Sequence, residues 1–187
     1  MENGFNLEDI TRDSPVLTGL LDSLFDGVYI VDHERRIRFW NRGAEAITGY
    51  AADEVVGKSC SEDVLNHIDE EGNLLCRGKC PVLRTLDSGE EISAKVYPLH
   101  KTGRRFPVRT HMSPLRDAEG NIVAAIEVFR DISKEEELRI LQEKFQALIR
   151  RYVSGSTFDE VMSQARTGQA GRARPRDLTV MYLDIVG

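Results

Sequence analysis

The chain has 187 residues, 41% hydrophobic and 30% charged, a composition that suits one core-burying domain with appendages. Its net charge of −6 argues against nucleic-acid binding, which needs a basic face. No run approaches the roughly 18–20 consecutive apolar residues that span a bilayer, and the acidic start MENGFNLEDITRD is unlike a secretory leader, so a cytoplasmic protein with no membrane span is expected.

Residues 1–13 are polar and read as a tail. Leu17, Leu20, Leu21 and Leu24 then fall at i, i+3, i+4 and i+7, one face of a helix. Asp26-Gly27 marks a turn before the β-rich run VYIVD. The polar HERR separates that run from IRFWN, so the two form an antiparallel hairpin in which Trp40 belongs to the core. RGAEAITGY and AADEVVGK are short helices closed by Gly49 and Gly57. CPVLRTLDSG is a helix starting at Pro81, where no N–H is needed, and stopping at Gly89. Three strand-like segments follow: EISAKVYPLHKTG, RRFPVRTHMSPLRD and NIVAAIEVFRD, with turns at Lys101-Thr102-Gly103 and Asp117–Gly120. Two strands, a helical middle and three strands predict an α+β domain of about 120 residues.

After Asp131 the pattern changes. SKEEELRILQEKFQALIRRYVS lacks Gly and Pro, and Leu138, Leu141, Phe145, Leu148 and Tyr152 repeat at spacings of 3, 4, 3 and 4, a heptad seam. Ser133 with Glu136 offers a capping box at its start. A coiled-coil-like helix over 133–153 is expected, and with it a homodimer. Residues 154–177 read as a linker, and 178–187, LTVMYLDIVG, as an apolar strand.

Every cysteine of the chain falls in CSEDVLNHIDEEGNLLCRGKC, residues 60–80, together with His67. The arrangement Cys60-x6-His67-x8-Cys76-x3-Cys80 carries three thiols and one imidazole, enough for a tetrahedral zinc. An iron–sulfur cluster normally takes four thiolates, so here a fourth ligand would have to complete it. Cys80, just ahead of the helix at Pro81, is also placed as a redox-active thiolate, and packing of these thiols in a core is the remaining reading. His33 falls in a turn, His100 at a strand end and His111 in an alternating strand. No phosphate-binding Gly loop, nucleophile elbow or HExxH run is present.

GVYIVDHERRIRFWNRGAEAITGYAADEVVGK, with Asn41, Gly49-Tyr50, Glu54 and Gly57, resembles the first half of a PAS sensor domain. HKTGRRFPV, PLRDAEGNIVAAIEVFRDIS and the closing Asp131-Ile132-Ser133 resemble the second half. The resemblance covers residues 14–132. It implies a PAS fold: a five-stranded antiparallel sheet in the order 2-1-5-4-3, with short helices over a pocket. It also implies a sensor of a small molecule, cofactor, redox state or light that pairs as a dimer, with Asp131, Ile132 and Ser133 as the junction to the signalling helix. The NCRFLQ-type run of flavin photosensors is absent and no axial haem ligand can be placed, so neither group is expected.

ARPRDLTVMYLDIVG resembles the entry of a class III nucleotide cyclase, in which Asp184 would be a metal-binding aspartate. The remaining nucleotide-binding and catalytic residues of that family are not in the sequence, so no enzymatic activity is expected of this chain. It reads as a sensory module controlling a cyclase output domain. The alternatives are a ligand-free dimerisation module and the regulatory half of an adenylate or guanylate cyclase.

Overall fold

The computed structural model describes residues 14–61, 64–152 and Ser163. Helix α1 (Pro15–Asp22) leads into the hairpin β1 (Gly27–Val31) and β2 (Ile37–Trp40). Helices α2 (Arg42–Thr48) and α3 (Ala52–Val55) follow, then a 3-10 turn at Leu75–Arg77 and α4 (Pro81–Ser88). Strands β3 (Ile92–Val96), β4 (Val108–Arg116) and β5 (Ile122–Asp131) precede α5 (Ser133–Tyr152). The strands form one antiparallel sheet in the order β2-β1-β5-β4-β3, the order that the resemblance to a PAS domain implies. Among the described residues, those up to Glu137 make up one compact unit and those from Leu138 belong to a second. Residues 1–13 and 153, the linker at 154–177 (Ser163 apart), the strand expected at 178–187 and its Asp184 lie outside the described residues.

Side chains alternate across the sheet, and both faces of β1 are buried. Tyr29 and Val31 join Ile37, Trp40, Val108, Met112 and Phe129 in the main core, which also takes in Val82 and Leu86 of α4. Trp40 sits 5.5 Å from Tyr29 between ring centroids and donates Nε1–H to the Tyr50 carbonyl, which confirms it as core. Val28, Ile30, Phe39 and Ala124 form a smaller cluster under Leu21 of α1. The rest of the apolar face expected on α1 is exposed at Leu17, Leu20 and Leu24, and the helix ends at Asp22, so Leu24 lies beyond it.

Asn41 ties the first half of the domain together. Its Oδ1 accepts from Ala44 N, capping α2, and from Val28 N on β1, both at 2.8 Å. Its Nδ2 donates to the carbonyls of Leu21 at 2.8 Å and Asp26 at 3.0 Å. All four hydrogen-bonding capacities of a fully buried amide are used. Gly49, left-handed at φ 78, then ends α2 with its N–H on the Glu45 carbonyl, as its place in the sequence predicts.

Two local expectations differ from the structure. The segment EISAKVYPLHKTG leaves the ladder at Val96: Tyr97 pairs instead with Ile68 in both directions, and Pro98 has no N–H to continue β3. The capping box at α5 is not made. Ser133 Oγ is buried without a partner, Ser133 N donates to Asp131 Oδ1 at 2.8 Å, and Glu136 Oε1 accepts from Lys95 Nζ at 3.0 Å. Glutamates in the first turn of α5 and arginines in its last turn complement the helix dipole. Leu138, Leu141, Phe145 and Leu148 are all exposed on it. Among the described residues no helix is long and apolar enough to cross a membrane.

Candidate functional site

The segment from Cys60 to Cys80 is anchored at both ends. Cys60 N donates to the Arg35 carbonyl at 2.9 Å, and Cys80 is the N-cap residue of α4, its side chain making no capping bond. Between them, Ile68 pairs with Tyr97, and a tight turn is closed by Asp69, whose carboxylate accepts from both the main chain and the side chain of Asn73. Those hydrogen bonds hold the Asp69 carboxyl below its usual value. Leu75 N donates to the His67 carbonyl at 2.9 Å, starting the 3-10 turn that carries Cys76 and Arg77.

Cys60 and Cys80 are buried in the main core and Cys76 is half-buried; all three are free thiols. They lie within electrostatic reach of one another. Burial first, and then the neighbouring Cys80, Glu127 and Cys76, push the Cys60 thiol far up, against a smaller pull from Arg35. Burial and Cys80 also raise Cys76, opposed by a hydrogen bond with the His67 main chain. In the metal-free protein this disfavours the thiolate at Cys60 and Cys76, so a metal or an oxidant acting there would have to displace those protons. Among the described residues no group of three or more His, Cys, Asp or Glu side chains is arranged to hold a metal. His33, His100 and His111 are each engaged in local hydrogen bonds, to the Ile122 carbonyl, Thr102 and Ser93.

Behind these thiols lies a polar centre that sequence reasoning missed. Glu127 on β5 is only 1% exposed, with the Tyr29 hydroxyl donating to one carboxylate oxygen and Thr110 Oγ1 to the other, the latter at 2.6 Å. Burial, with the Glu127 carboxylate and Cys60 adding to it, holds the Tyr29 phenol well above its ordinary value. The signal was in the alternation of β5, where Ala125, Glu127 and Phe129 share the inner face.

His67 is buried, and burial pulls its imidazole below 6.5; Arg105 adds to this and Glu127 opposes it. The folded state therefore keeps His67 neutral at a pH where the unfolded chain is protonated. This contribution to stability is complete above pH 6.5 and is lost as pH falls through the folded value, at up to about 1.4 kcal/mol per pH unit. Urea titrations between pH 7.5 and 5 should show that slope, and His67→Gln should flatten it; equal slopes in both proteins would remove His67 as the cause.

Beside this segment opens a cavity of about 580 Å³. Arg35 from the β1–β2 turn, Arg77 from the 3-10 turn and Arg105 from the stretch before β4 line it together with Asn66; Ser61, Leu74 and Cys76 complete the wall. Arg35 Nη1 donates to the Cys76 carbonyl at 3.1 Å. Arg105 Nη1 donates to the carbonyls of Asn66 and, at 2.8 Å, Tyr97. The volume falls within the range of small-molecule sites.

The segment that gives Asn66 and Leu74 to the cavity wall also connects to the exit helix. Glu70, three residues after His67, accepts from Lys95 Nζ on β3 at 2.7 Å, and the same Nζ reaches Glu136 in the first turn of α5. These bonds lower Glu70 and raise Lys95 relative to their ordinary values. Asp131, Ile132 and Ser133 occupy the joint itself: Ile132 is buried with its N–H on the Pro107 carbonyl, and Asp131 holds Ser133 N.

The PAS domain profile matches residues 26–134. The chain is 27% identical over 153 residues to the signal transduction histidine-protein kinase AtoS of Escherichia coli K12, covering 80% of this chain and 24% of that protein. It is 29% identical over 177 residues to the cell-division control histidine kinase PdhS of Brucella anthropi, covering 86% of this chain and 16% of that protein. The chain thus spans about a quarter or less of these relatives. A solved PAS domain from Colwellia psychrerythraea superposes with a TM-score of 0.52 at 22% identity, over 62% of this chain and 93% of that one, which supports the fold. With a matching profile over more than half of its residues, and with the strand order and helices described above, this chain belongs to the PAS domain family.

Proposed function

We propose that the chain is the non-enzymatic sensory module of a longer cytoplasmic signal-transduction protein. A small molecule received at the cavity and residues 60–80 biases α5, and α5 passes the signal to an output domain as a homodimer. The observation that carries this reading is the run Glu70–Lys95–Glu136, by which one lysine joins the segment behind the cavity to the first turn of the exit helix. A signal acts through such a link only if its ligand favours one arrangement of the helix over another.

The cavity supports a small-molecule signal over zinc or an iron–sulfur cluster at Cys60, His67, Cys76 and Cys80, since among the described residues no group of His, Cys, Asp or Glu is arranged to hold a metal. For the output, Asp184 within ARPRDLTVMYLDIVG supports a class III cyclase. The relatedness to two histidine kinases supports a kinase as the second reading.

The dimer seam consists of Leu138, Leu141, Phe145, Leu148 and Tyr152. Four of the five large apolar side chains exposed on α5, all but Ile140, fall on this seam; they are unfavourable in water and gain by pairing with a second copy. Light scattering on the chain at micromolar concentration should give twice the monomer mass of 21.1 kDa. Leu141→Glu with Phe145→Glu should return it to monomer with the PAS unit still folded. A monomeric unmutated chain, or a dimer indifferent to both changes, would speak against the seam.

A further inference from the structure

The wall of the cavity is unusual for so acidic a chain. Among its described lining residues three are arginines and none is Asp or Glu, although the chain carries 31 acidic residues against 25 basic ones. Elsewhere Arg38, Arg42, Arg84, Lys95, Lys101, Arg130 and Arg139 are paired with carboxylates. Arg35, Arg77 and Arg105 form no ion pair with any described residue. Three guanidiniums converging on one cavity repel one another, and an anion seated between them relieves that repulsion.

Two of these guanidiniums are aimed in advance. Arg35 and Arg105 are half-buried and fixed by main-chain carbonyls of the cavity wall, through Nη1 in each case. Nε and Nη2 of both have no partner among the described residues, in the planar fork that matches a carboxylate or phosphate. Asn66 adds an amide whose side chain makes no hydrogen bond among the described residues.

The backbone gives an independent observation. Among the described residues two non-glycine positions have positive φ, Arg35 at 60° and Asn66 at 41°, and both line this cavity. A turn that needs a left-handed residue is met at lowest cost by glycine or asparagine. At position 35 the chain instead places an arginine and directs it to the cavity. Strained conformations of this kind persist where the surrounding structure uses them, and they cluster at ligand sites.

We propose that the cavity formed by Arg35, Asn66, Arg77 and Arg105 binds a small organic or inorganic anion carrying at least two negative charges. Bidentate guanidinium contacts hold the charged groups, and Leu74 and Cys76 face the uncharged part. This inference rests on the sensory reading and names the chemistry of its signal.

Isothermal titration calorimetry of the full chain with citrate and with inorganic phosphate, against sodium chloride at matched ionic strength, tests it. Saturable binding of either anion is expected, weakened at least tenfold by Arg35→Met and by Arg77→Met. Citrate alone would identify a carboxylate ligand and phosphate alone a phosphate one. Arg77 makes no hydrogen bond or ion pair through its side chain among the described residues, so its variant keeps the fold and remains informative if the other unfolds. No saturable binding of either anion, or binding unchanged in the Arg77 variant, would overturn the proposal. Binding of citrate that leaves hydrogen exchange in α5 unaltered would instead refute the transmission step while leaving the anion site standing.

Discussion

Replacing Asn41 with alanine is expected to lower the unfolding free energy by about 3–4 kcal/mol, a large fraction of the 5–15 kcal/mol typical of a domain. The change removes the cap of α2 and takes the side-chain partner from four main-chain groups, the N–H of Val28 and Ala44 and the carbonyls of Leu21 and Asp26, of which the Leu21 carbonyl keeps the Leu24 N–H. Asn41, Val28 and Ala44 are fully buried, so water cannot reach the two freed N–H groups without opening the junction between β1 and α2. Asn41→Asp separates the roles. It keeps an acceptor for the two N–H groups but turns a carboxylate oxygen toward two carbonyls, so it should also destabilise, with α2 still capped. Urea unfolding followed by circular dichroism gives both values. A loss under about 1 kcal/mol for the alanine variant would mean that this network contributes no more than an ordinary helix cap.

Lys95→Met is expected to have the opposite profile, with little effect on folding and a large one on signalling. Lys95 and its two carboxylate partners sit at a partly exposed position, where ion pairs contribute little to stability. The unfolding midpoint should therefore stay close to that of the unmutated protein. What disappears is the connection between Glu70, behind the cavity, and Glu136, in the first turn of α5. In the full-length protein, output activity should then no longer respond to the signal. Lys95→Arg keeps the charge and offers two forks for two carboxylates, so it should preserve the response in large part. A normal response in the methionine variant would place transmission elsewhere, with Asp131 and its hold on Ser133 N as the next position to alter.

Much of this architecture is legible in the sequence, for identifiable reasons. The alternation of β4 and β5, the turn at Asp26-Gly27 and the stop at Gly89 are local signals, and the structure keeps them. β3 ends early because a residue far away in sequence, Ile68, competes for Tyr97, and local pattern carries no trace of such a partner. Ser133 and Glu136 have the right spacing for a capping box, but Asp131 and Lys95 take those roles from outside the motif. The cysteines drew attention to residues 60–80, and that segment does border the cavity. The groups that give the cavity its charge come from three separate stretches of chain, around Arg35, Arg77 and Arg105, so no spacing in the sequence announces them. Glu127 was within reach of sequence reasoning: a carboxylate between Ala125 and Phe129 on a buried strand face needs partners, and Tyr29 and Thr110 supply them.

The most direct test of the account is hydrogen exchange followed by mass spectrometry on the full chain, with and without a saturating concentration of whichever of citrate and phosphate binds, in the unmutated protein and in Lys95→Met. The account predicts slower exchange at residues 64–79 in both proteins, and a change at residues 133–140 in the unmutated protein alone. A change at 133–140 that survives in Lys95→Met, or protection at 64–79 with no change in the helix of either protein, would contradict it.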